Sequence, residues 1–106
     1  MAITLSNLFP ITGLGNPTQT LTNVTGSRTS GVTYTNSTGS PIFVSISSTV
    51  SAVNGNLIVS IGSLSYNSCT IYLQNYTAQT SFIVPKGSTY SLSGNVASIT
   101  SWFELR

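Results

Sequence analysis

A strict two-residue alternation, interrupted again and again by turn-forming residues, constrains this chain more than anything else in it. Ile42, Val44 and Ile46 fall on one face of an extended segment, with Phe43, Ser45 and Ser47 on the other. Leu57, Val59 and Ile61 repeat the pattern with Ser60 opposite. Cys69, Ile71 and Leu73 alternate with Thr70, Tyr72 and Gln74. This period suits strands that bury one face, and no helical pattern competes with it. Between the runs lie turn signals at 36–41, at Asn54-Gly55 and at 85–88. Asn54-Gly55 predicts a two-residue hairpin, because glycine tolerates the positive φ that such a turn requires. The segments 81–84 and 89–92 read as two strands joined by a tight turn, and a last strand is expected over about 96–105. Short strands at this spacing predict an all-β chain folded as an antiparallel sandwich or barrel.

The chemistry open to such a chain is narrow. Of 106 residues, three are Lys or Arg, one is Glu, and none is Asp or His. A paired-carboxylate acid/base site needs two acidic side chains, and only Glu104 is available. Serine and cysteine nucleophiles are ordinarily activated by a histidine, which is missing. Metal sites need several His, Cys or carboxylate ligands, and only Cys69 and Glu104 qualify. The composition therefore predicts no enzyme activity, no cofactor and no metal. Three scattered cations, Arg28, Lys86 and Arg106, cannot build a track along phosphates, so nucleic-acid binding is not expected. Cys69 has no disulfide partner and reads as a small buried hydrophobe. The first residues lack the basic and unbroken apolar regions of a secretory signal, and no apolar run is long enough to insert into a membrane. Synthesis in the cytoplasm is the expectation. A β-rich chain with so few charges cannot guard its sheet edges electrostatically, which favours pairing of edges within an oligomer.

Residues 1–27 lack sustained periodicity, and Pro10, Gly13, Gly15 and Pro17 divide them into short pieces. Leu5, Leu8, Phe9, Ile11 and Leu14 make the segment apolar for a free tail. It fits either a cap folded onto its own domain or an arm that docks elsewhere. The expected organisation is this arm or cap at 1–27 and a β domain at 28–106.

Three blocks carry a resemblance. They are RTSGVTYTNSTGSPIFVSI at 28–46, SFIVPKGSTYSLSG at 81–94 and ITSWFELR at 99–106. In order and spacing they resemble the small β-sandwich knob at the C-terminus of many tailed-bacteriophage fibres, in which the second block is a hairpin and the third the chain ending. The resemblance implies a homotrimeric, jelly-roll-like knob on a virion surface. It implies that Trp102 packs in the core or between subunits. It implies that Arg28, Glu104 and Arg106 supply the few ion pairs.

No coiled coil, collagen-like tract or long β-repeat precedes these blocks, so a small virion protein complete in itself is expected rather than a piece of fibre. Such a knob must attach to something, and Leu5, Leu8, Phe9, Ile11 and Leu14 are the expected docking arm. The first functional expectation is a trimeric capsid decoration, or cement, protein whose partners are itself and the major capsid protein. The alternative is a tail-fibre or tail-tip knob that binds a host-surface glycan or protein. Tyr66, Tyr72 and Tyr76 are then the candidate ligand surface, because aromatic rings stack on sugars while amides and hydroxyls bond their oxygens.

Overall fold

The computed structural model describes residues 17–106. Their strands are β1 (Leu21–Asn23), β2 (Tyr34–Thr35), β3 (Ile42–Val50), β4 (Gly55–Ile61), β5 (Leu64–Ile71), β6 (Thr77–Val84), β7 (Thr89–Gly94) and β8 (Val96–Leu105). A single 3₁₀ turn, Thr25–Ser27, lies between β1 and β2. Two antiparallel sheets, ordered β1-β8-β3-β6 and β2-β7-β4-β5, face one another as a sandwich. The chain is all-β, as the alternation predicts, and of the sandwich and the barrel the fold is the sandwich that the resemblance implies.

Strand β3 shows why. Every second residue from Ile42 to Val50 is buried, and those between are partly exposed. Ile42, Val44, Ile46 and Val50 meet Phe82 and Val84 from β6, Leu57 and Val59 from β4, Leu92 from β7 and Trp102 from β8. Ser48 is the one polar residue on this inward row. Its hydroxyl donates to the Ser98 carbonyl at 3.1 Å, beside a register shift at Ser47/Ser48. A buried hydroxyl with an acceptor costs little; one without costs about 1–3 kcal/mol.

Two expected turns differ in what they join. Asn54 does take a left-handed φ of 57°, and the Gly55 amide donates to the Ala52 carbonyl at 3.1 Å. Yet β3 and β4 belong to opposite sheets, so Asn54-Gly55 carries the chain across the sandwich and closes no hairpin. The turn at 85–88 likewise links β6 in one sheet to β7 in the other, so the paired hairpin implied there is not formed. Turn chemistry reverses the chain whichever sheet it enters next; burial of each strand's apolar face against the opposite sheet decides the destination. The two-residue hairpin falls at Gly62-Ser63 instead. Ile61 pairs with Leu64 there, and Gly62 has φ 60°.

The described part of segment 1–27 lies along the sandwich. Leu21, Thr22 and Asn23 pair with Leu105, Glu104 and Phe103. The Val24 amide donates to the Trp102 carbonyl, and the Trp102 amide donates to Thr25 Oγ1. Leu5, Leu8, Phe9, Ile11 and Leu14 lie outside the described residues.

Candidate functional site: a buried carboxylate and the exposed faces

Alternation on β8 sends Trp102 and Glu104 inward, two residues apart, so the chain's only acidic side chain enters the core. Glu104 has no exposed surface. Its carboxylate accepts from every side: Arg28 Nε and Nη2 at 3.0 Å each, Tyr90 Oη at 2.8 Å, Trp102 Nε1 at 3.0 Å and Arg106 Nη1 at 2.8 Å. Tyr34 closes the cluster. Its ring lies 4.6 Å from the Arg28 guanidinium carbon and 5.9 Å from the rings of both Tyr90 and Trp102. The Thr29 amide donates to the Tyr34 hydroxyl at 2.8 Å.

Burial alone pushes the Glu104 carboxyl up. Hydrogen bonds from Arg28, then Tyr90, together with the Arg28 charge and Trp102, outweigh it and hold the group below the ordinary carboxylate range. Burial, then the bond to Glu104, pushes the Tyr90 hydroxyl up to about 12. The Glu104 hydrogen bond raises the Arg28 guanidinium further. A carboxylate with five donors and no exposure has no lone pair turned to a substrate. The cluster joins Arg28 to the last strand and to Arg106 through one carboxylate.

Arg28, Trp102, Glu104 and Arg106 are thus brought together within one chain. Tyr34 and Tyr90 belong with them and were not singled out in the sequence. Their partnership depends on β2–β7 pairing, where Tyr34 sits opposite Tyr90. Beside the cluster a cleft of about 300 Å³ opens between Thr25, Arg28, Thr29 and Ser30 on one side and Val96, Ala97 and Ile99 on the other. Arg28, its charged side chain, is already committed to Glu104, so the cleft offers hydroxyls and an apolar wall.

Tyr66 lies on β5, Tyr72 just after it and Tyr76 just before β6, with exposures of 44%, 74% and 61%. Leu64 and Leu73 are exposed as well, and β5 is an edge strand of the β2-β7-β4-β5 sheet. Cys69 is half-buried against the core. Among the described residues no group of three or more His, Cys, Asp or Glu side chains gathers to hold a metal, and no helix is long and apolar enough to cross a membrane. A second apolar feature, not anticipated from sequence, is a row on the outer face of the other sheet: Leu21, Leu105, Phe43 and Ile83. Its signal was present in Phe43, a large apolar residue on the face otherwise given to Ser45 and Ser47. Comparison with protein-family models, curated proteins and solved structures returns no match.

Proposed function

We propose that this chain is a non-catalytic structural knob of a tailed-bacteriophage virion: a trimeric capsid decoration protein that bridges capsid subunits and stabilises the head. The resemblance of blocks 28–46, 81–94 and 99–106 motivates the virion assignment. The observation that supports treating those blocks as one unit is their closure. Arg28 at one end and Trp102, Glu104 and Arg106 at the other meet around a single buried carboxylate. With its only acidic side chain committed there, the knob acts through its surfaces. Consecutive strands that change sheet at every step except the β4–β5 hairpin are consistent with a jelly-roll path. Bridging works by multivalency: a trimer holding several capsid subunits at once must lose several modest contacts together before it leaves.

Particles stripped of the protein test this reading. They should release DNA at a lower temperature than intact ones, and re-addition should restore the difference. Equal heat resistance, or a copy number typical of a tail component, counts against it. The exposure of Tyr66, Tyr72 and Tyr76 favours a second role, attachment to a host-surface glycan. Failure of the trimer to bind host cells removes that role and leaves the first untouched.

A further inference from the structure

The strands at the edges of the two sheets are β1, β6, β2 and β5, and three of them are blunted. β1 is three residues long and β2 two. β5 is longer, but it is bulged: Leu57 faces Cys69 and Ile58 faces Asn67, which leaves Ser68 extra. Short edge strands and bulges stop a sheet from pairing with another chain. β6 has neither. Thr77–Val84 is eight residues long and follows β3 from Ile42 to Thr49 without a register shift. It contains no Pro, no Gly and no charged residue. Among the described residues no strand pairs with its far side, and Thr77, Gln79, Ser81 and Ile83 are all exposed. The Val50 amide donates to the Tyr76 carbonyl at 3.1 Å. Even-numbered residues of β6 therefore turn their backbone groups towards β3, and odd-numbered ones turn theirs outwards.

We propose that β6 pairs antiparallel with β6 of a second copy across a two-fold axis at Thr80, so that two β1-β8-β3-β6 sheets become one. The register follows from the backbone. Only the odd-numbered residues offer outward amides and carbonyls, so odd must stand opposite odd. Of the registers that satisfy this, the one with Thr80 opposite Thr80 uses the strand most fully. It sets Gln79 opposite Ser81, Ala78 opposite Phe82 and Thr77 opposite Ile83, each twice. Side chains then match across the axis: the large Phe82 ring meets the small Ala78, and the Gln79 amide meets the Ser81 hydroxyl. The same strand on both copies is self-complementary, as a two-fold contact requires. With no charge on the strand, no like charges are brought together. This contact does not depend on the virion reading. Being two-fold, it joins single chains into pairs or trimers to one another, and it is separate from any three-fold interface.

The test uses two full-length variants, Gln79→Lys with Ser81→Lys and Gln79→Glu with Ser81→Glu. Gln79 and Ser81 are exposed and reach Ser45 only at 3.4 Å, so the fold should tolerate both changes. In sedimentation the unsubstituted chain should pair reversibly. Each variant alone should pair about tenfold more weakly or worse, because position 79 of one copy faces position 81 of the other with like charge. An equal mixture of the two should pair again, one of each. No pairing of the unsubstituted chain, pairing that persists in the separate variants, or no recovery on mixing overturns the proposal. A trimer that persists in the variants keeps this contact distinct from the one in the virion reading. Register is read separately in a Cys69→Ser chain. Directly opposed residues of a non-hydrogen-bonded pair have Cα atoms about 4.5 Å apart, within reach of a disulfide. Thr80→Cys should therefore oxidise to a linked pair, and Ala78→Cys should not. Equal linkage at both positions, or none at 80, also overturns it.

Discussion

Arg28 and Glu104, 76 positions apart in sequence, meet in a two-pronged pair, Nε to Oε2 and Nη2 to Oε1, each at 3.0 Å. The Arg28 side chain is only 14% exposed and Glu104 not at all. Neither group is readily rehydrated if the other is lost. Breaking a buried pair by removing one partner costs about 3–5 kcal/mol, because the remaining charge stays uncompensated. Glu104→Gln should therefore lower the unfolding free energy by about that amount in urea titrations. Arg106→Ala should cost about 1 kcal/mol or less, since that side chain is 29% exposed and Glu104 keeps four other donor contacts. Equal losses in the two variants would contradict this division of roles.

The same cluster sets the pH limits of stability. The Glu104 carboxyl lies lower in the folded chain than in the unfolded one. Its contribution is present above about pH 4.3, the unfolded value, and is lost as pH falls through the folded value. Tyr90 is shifted the other way, up to about 12. Its contribution is complete below about pH 10 and is lost as pH rises through about 12. With no histidine in the chain, stability should be level between about pH 5 and 8. Urea midpoints across the pH range should show the plateau, and Glu104→Gln should flatten the acid limb. A slope inside the plateau would mean that another group titrates on unfolding.

The cluster also shows what a sequence reading can and cannot reach. Alternation identified the inward row of β3, because burial of one face imposes that period directly, and the β-prone residues of 96–105 gave the span of β8. It misplaced the hairpins at Asn54-Gly55 and 85–88, because turn residues specify local φ and leave strand partners unspecified. Strand β5 defeated it for another reason. A register shift at Leu57/Ile58 leaves Leu57 opposite Cys69 but Val59 opposite Tyr66, so the facing parity changes along the strand. A fixed-period reading carried Leu73 along with Ile71, whereas β5 ends at Ile71 and Leu73 is 54% exposed. Tyr34 and Tyr90 were invisible as cluster members, because only the pairing of strands far apart in sequence makes them neighbours.

Asn36 was read as part of a turn, but the structure gives it a fastening role. It is 1% exposed. Its Nδ2 donates to the carbonyls of Ser40 at 2.9 Å and Val84 at 3.1 Å. Its Oδ1 accepts from the Thr38 amide at 3.1 Å and hydroxyl at 2.6 Å. The side chain thus ties the 36–40 loop to the end of β6. Asn36→Asp would turn an ionised oxygen towards three carbonyls, those of Ser40, Val84 and Pro85, in a site without a cation. The expected loss is about 2–4 kcal/mol at pH 7, larger than for Asn36→Ala, which removes bonds without adding charge. Thermal melts of the two variants at pH 7 check the ranking. If Asn36→Asp proves the milder change, the amide does not donate as described.

Gly94 ends β7 with φ 94°, where an L side chain is strained, and a Cβ there would lie 2.5 Å from the Asn56 carbonyl oxygen. That oxygen is fixed from the other side, since it accepts from the Asn95 amide at 2.8 Å. The Asn56 amide donates in turn to Asn95 Oδ1 at 3.0 Å. The chain crosses here from β7 in one sheet to β8 in the other, so a shift at Gly94 moves the strand that carries Trp102 and Glu104. Gly94→Ala must therefore combine backbone strain with a clash against immobile backbone, for a loss of about 2–3 kcal/mol. Gly39 is the control. It lies in an exposed loop without positive φ, and a Cβ there meets nothing within 4 Å. Gly39→Ala should leave stability within about 0.5 kcal/mol of the parent. Denaturant melts of the two variants measure the contrast, and near-equal stabilities would show that the β7–β8 crossing gives way more easily than the Asn56–Asn95 bonds imply.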